Sequence, residues 1–92
     1  MQRWPSKDPD EVLDYQFDWS ARLAAGETIS TSTFILEEGS VTIDSESFNG
    51  GLTTVWLSGG GVGDKCVLTN RVVTSEARTY DESATLRVRS SA

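Results

Sequence analysis

Residues 12–20, Val-Leu-Asp-Tyr-Gln-Phe-Asp-Trp-Ser, limit the fold of this chain more than any other stretch. Leu13, Tyr15, Phe17 and Trp19 alternate with Asp14, Gln16 and Asp18. Such a period of two is that of an extended strand, whose successive side chains point to opposite faces. A helix would scatter the same aromatics around its circumference. The strand therefore owns one large apolar face and one acidic face, and the apolar face must be covered by a second layer.

The rest of the chain supplies material for that layer. Residues 28–36, TISTSTFIL, are rich in β-branched residues and read as a strand. Ile29 and Phe34 differ in parity, so this strand carries a bulge or is covered on both faces. Further strands are expected at 40–46, 52–58, 64–75 and 83–89, with a polar turn over 76–82. Asn49-Gly50-Gly51 is a strong turn signal, and the glycine-rich stretch 59–63 reads as a hairpin connection. Six strands result, with room for a seventh. This spacing of strands and turns fits an all-β fold, a sandwich or a small barrel. The expected core is Tyr15, Phe17, Trp19, Ile29, Val41, Ile43, Trp56, Leu68, Val72, Leu86 and Val88.

With 92 residues the chain holds one domain. Residues 1–11 contain both prolines and no periodicity, and are expected to form an extended arm ahead of a domain spanning 12–92. Asp10-Glu-Val-Leu13 has the composition to open a single helical turn. The tail, Ser90 to Ala92, is expected to fray.

The formal net charge is −6, which argues against nucleic acid and against an anionic membrane surface as partners. Residues 1–46 carry ten acids against three bases, and residues 47–92 four acids against five bases. A dipolar domain of this kind has the means to associate head to tail with its own copies. The start, Met1 to Pro5, lacks an apolar export segment, and no stretch approaches a membrane span. The lone cysteine, Cys66, permits no internal disulfide, which favours synthesis in a reducing cytoplasm.

Chemistry is narrowed by what is missing. Without histidine, Ser-His-Asp and Cys-His catalysis are excluded, and one cysteine does not make a zinc site. In Gly59-Gly-Gly-Val-Gly-Asp-Lys65 an acid separates glycine from lysine and a strand follows, so no phosphate loop is present. Asp8, Asp10, Glu11 and Asp14 do not match the spacing of a calcium loop. Asp14 and Asp18 lie about 13 Å apart at strand rise, too far for a glycosidase pair. No catalytic, cofactor or metal site is expected. Trp4 and Pro5, outside the strand pattern, are the candidate partner contacts, since a tryptophan in an arm either fills a partner's pocket or folds back on its own sheet.

The run Trp4-Pro-Ser-Lys-Asp-Pro-Asp-Glu-Val-Leu-Asp-Tyr-Gln-Phe-Asp-Trp19, with Gly26-Glu-Thr-Ile29, Val55-Trp-Leu-Ser-Gly-Gly60 and Leu68-Thr-Asn-Arg-Val-Val-Thr74, resembles a family of small bacteriophage and prophage virion structural proteins. The resemblance runs from Trp4 to Val88. It implies an immunoglobulin-like β-sandwich. Residues 66–74 are similar to the penultimate strand of such domains, where an aromatic often replaces Cys66. The implied role is that of a non-enzymatic virion component at a tail, neck or head surface, made in the host cytoplasm. Its partners would be other phage structural proteins or further copies of itself. A carbohydrate-binding module for attachment to the host is the alternative, and it requires an exposed Trp4 or Trp56.

Overall fold

Strand alternation is realised from residue 13 onward in a computed structural model that describes residues 1–90. The expected fraying of the tail at Ser91 and Ala92 lies outside the described residues. The elements are β1 (Gln2–Arg3), β2 (Leu13–Asp18), β3 (Ile29–Glu38), β4 (Val41–Asn49), β5 (Leu52–Gly59), β6 (Lys65–Thr74) and β7 (Thr79–Arg87). They form two sheets, ordered β1-β7-β6-β3 and β2-β5-β4. The chain is an all-β sandwich. Its connectivity is compatible with the immunoglobulin-like plan, in which strands two, five and four form one sheet and three, six and seven the other. Here the first strand lies on the edge of β7, in parallel.

The interior is built as the alternation of β2 requires. Tyr15, Phe17 and Trp19 are buried, while Asp14, Gln16 and Asp18 are exposed. From the opposite sheet Phe34, Cys66, Leu68, Val72, Ala84 and Leu86 meet them. Ile29 and Phe34 are both buried because the register of β3 against β6 shifts between Ile29 and Thr31. That shift is the bulge their parity demands.

A buried polar cluster ties the two sheets together. The Asn70 amide on β6 accepts from Trp19 Nε1 at 3.0 Å and from Thr53 Oγ1 at 2.7 Å. It donates to Ser32 Oγ at 2.9 Å and to the Thr33 carbonyl at 3.1 Å. Asn70 thereby uses its full amide capacity in a position of no solvent exposure. A hydrocarbon side chain there would take a partner away from two donors, Trp19 Nε1 and Thr53 Oγ1, and from two acceptors, Ser32 Oγ and the Thr33 carbonyl.

Three expectations are corrected. Trp56 is not in the core. It is 42% exposed, and Val55 and Leu57 are the buried residues of β5. Both faces of residues 52–58 are apolar, so composition cannot choose between them. Pairing does: Trp56 stands opposite Asp14, on the acidic outer face of β2. Second, residues 79–82 belong to β7 and not to a turn, because the hairpin with β6 extends to Val73 opposite Thr79. Third, the glycine-rich segment after β5 is no hairpin. It crosses from one sheet to the other, and Gly60 takes φ +107° where a Cβ would meet Val88 at 2.8 Å. Asn49-Gly50-Gly51 is the hairpin turn between β4 and β5, with Gly50 at φ +63°.

Candidate docking surfaces

Residues 1–11, expected as an extended arm, run alongside β7. Gln2 and Arg3 register with Ala84 and Thr85. Trp4 N donates to the Thr85 carbonyl, Lys7 N to that of Arg87, and Arg89 N to that of Lys7. The arm is also tied to the second sheet. Trp4 stacks on Tyr15 at 4.8 Å between ring centroids and lies 5.0 Å from Phe17. The Tyr15 hydroxyl donates to the Pro5 carbonyl at 3.0 Å. Burial raises the Tyr15 pKa above that of free tyrosine, and the Glu11 charge adds to the shift. Lys7 is wholly buried, and its ammonium donates to the carbonyls of Gly59 at 2.7 Å and Asp8 at 2.9 Å.

Beside this arm lies a groove of about 480 Å³, walled by Arg3, Trp4, Lys65, Thr85, Arg87 and Arg89 among others. Its electrostatics are unusual for so acidic a chain. Of the eight lysines and arginines, Arg22, Arg71 and Arg78 pair with carboxylates. Lys7 is held by backbone carbonyls. The remaining four, Arg3, Lys65, Arg87 and Arg89, all line the groove and make no ion pair among the described residues. Lys65 and Arg87 stand directly opposite each other across the β6–β7 ladder. In the groove wall, the buried Nε1 of Trp4 has no hydrogen-bond partner among the described residues.

The outer face of the β2-β5-β4 sheet has the opposite character. Asp14 and Asp18 project from β2 beside the exposed Trp56 and Leu52 of β5. Hydrogen bonds from Ser20, chiefly its backbone N–H, hold the Asp18 carboxyl below the usual carboxylate range. The preceding acids serve their own turn, with no helix formed. Asp8 Oδ1 accepts from Asp10 N at 2.8 Å, and Glu11 Oε1 accepts from Asp8 N at 2.7 Å.

The far end of β6 carries a closed charge cluster. Glu27 is buried, with a side chain only 1% exposed. It accepts from Thr74 Oγ1 at 2.5 Å, Ala24 N at 2.8 Å and Arg78 Nη1 at 3.1 Å. These bonds, led by that from Thr74, hold its carboxyl below the ordinary range.

Of the two residues singled out from the sequence, Trp4 is 5% exposed and packs into its own core, while Pro5 is exposed. The structure brings Trp4 together with four cations that sequence reading did not connect. Three of them lie on or beside strands distant from the arm in sequence, and only the parallel pairing of β1 with β7 unites them. The excess of bases in the second half of the chain was the one available signal. No group of three or more metal-ligating side chains gathers among the described residues.

Fold and surface together define a small β-sandwich module with a cationic groove on one flank and an acidic, aromatic-bearing face on another. The family described as podophage GP4 fiber-tail adaptor protein gp77 matches the chain over residues 7–87. The chain belongs to that family, and so to the structural proteins of bacteriophage. No curated protein matches the chain.

Proposed function

We propose that this chain is a non-enzymatic adaptor of a phage tail, joining a fiber to the tail through protein–protein contacts. The observation that carries this reading is the family match across nearly the whole sandwich. Two charged surfaces of opposite sign on one small module give it the means to hold two different neighbours. Charge complementarity of this kind fixes partner and register more than it adds affinity. Mass spectrometry and electron microscopy of purified particles test the reading. The chain is expected at the fiber–tail junction, and its absence from particles overturns the proposal.

A carbohydrate-binding role rests on Trp56 alone, which is exposed beside Asp14, since Trp4 is buried. Binding to a host glycan that is lost in Trp56→Ala would favour it. A glycan array without hits removes it.

A further inference from the structure

We propose that the groove beside the arm is a binding site for a carboxylate-rich, extended segment of a partner protein. This deepens the adaptor reading and rests on it for the existence of a partner, but the chemistry is argued from the groove itself.

The chain carries fourteen acids against eight bases. In such a chain a cation on the surface has carboxylates at hand, and Arg22, Arg71 and Arg78 each take one. That the four surface cations without an ion pair among the described residues converge on one groove is therefore not explained by a shortage of acids. The fold even sets two of them opposite each other. Like charges facing across a strand ladder are destabilising, so Lys65 opposite Arg87 costs stability in the free chain. An incoming anion relieves that cost.

Three of the four cations are arginines. The guanidinium fork matches a carboxylate with two parallel hydrogen bonds. The groove crosses three strands, from Arg3 on β1 over β7 to Lys65 on β6. At its β1 side it meets the end of the sheet, since β1 pairs only with β7 among the described residues, and an extended segment can add main-chain hydrogen bonds there. Thr85 and Ser6 contribute neutral hydroxyls to the same walls. A nucleic acid would meet the same cations, but its long run of phosphates would also meet the net charge of −6 and the acidic neighbouring face. A short acidic segment avoids both.

The test is fluorescence anisotropy of the full chain with a short labelled oligoglutamate peptide. Oligoglutamine and oligothymidylate serve as comparison probes. Saturable binding of oligoglutamate is expected, with the Kd rising at least about tenfold in Lys65→Gln/Arg87→Gln. Ser30→Glu/Thr31→Glu makes the same change of two charges at exposed sites far along the same sheet and should change the Kd by less than about twofold. Equal loss in both variants would mean a response to overall charge and would overturn the site. Tighter binding of oligothymidylate than of oligoglutamate would overturn the choice of partner. So would self-association that disappears in Lys65→Gln/Arg87→Gln while the peptide fails to bind, since the occupant would then be a second copy. Should Lys65→Gln/Arg87→Gln not fold, the unmodified chain decides. Affinity that does not fall between about 50 and about 500 mM salt rules out a cationic site. Failure of every peptide arm leaves the adaptor reading standing, because that reading falls only with the particle experiment.

Discussion

The two ends of β6 handle charge in opposite ways. At Thr74 a buried carboxylate, Glu27, is satisfied by a hydroxyl, a backbone N–H and a guanidinium. At Lys65, roughly 30 Å away at strand rise, four cations share a groove with no carboxylate among them. The first arrangement is closed and serves the fold. The second is left open at a cost to the fold. The difference teaches that unpaired charge, more than charge itself, separates a surface made for contact from one made for stability.

Several measurements would break or sharpen this contrast. The largest expected effect lies between the two ends, in the core they share. Trp19→Ala should lower stability by about 3–5 kcal/mol, because Trp19 is 1% exposed and holds Asn70. Denaturant midpoints would read it, and an unchanged midpoint removes Trp19 from the core. Lys7→Ala comes next, at about 3 kcal/mol. It deletes the ammonium that ties the arm to the Gly59 carbonyl, and exchange of the Lys7 and Arg89 amides should accelerate before that of β6. Uniform acceleration would deny the arm end any independence.

The response to pH should distinguish the ends. The Glu27 carboxyl is held low in the fold, so its stabilisation is complete above the ordinary carboxylate range, about pH 4.3. It is lost as pH falls through the depressed folded value. In Glu27→Gln this acid-side loss should shrink. Tyr15 is shifted the other way. Its pKa is raised, so its contribution is present below the ordinary tyrosine value, about 10, and is lost as pH rises through the folded value. Acid should therefore loosen the Glu27 end and alkali the arm end, which amide exchange at the two pH extremes would show. Simultaneous loosening of both ends would break the contrast. The smallest effect is a gain. Arg87→Gln should stabilise the chain by about 0.2–1 kcal/mol at low salt, with the gain fading as salt rises. A loss of stability would mean that Arg87 serves the fold.

Much of the sandwich is legible in the sequence, because alternation with a strong size contrast leaves one solution. Tyr15, Phe17 and Trp19 are the clearest case, and the parity conflict of Ile29 and Phe34 announces a bulge. Where both parities are apolar, as in Leu52 to Leu57, periodicity is silent and the cross-strand partner decides. The start of β7 was hidden by its polar composition. Its pairing is carried by contacts such as Arg71 with Asp81 at 2.9 Å, which no local pattern encodes. The groove was the least legible. Arg3 and Arg87 lie at opposite ends of the sequence, and only a parallel pairing makes them neighbours. Lys7 gave no hint of burial, since a lysine between a serine and an aspartate reads as solvated.

The parallel course of the first and last strands has a mechanical consequence. Residues 2–7 travel in the same direction as residues 84–89. Tension applied between Met1 and Ser90 would slide one past the other lengthwise. The bonds joining Trp4 to Thr85, Lys7 to Arg87 and Arg89 to Lys7 would then be loaded all at once. They would resist as a lap joint does under shear, where an antiparallel pair drawn apart at its ends would unzip one rung at a time.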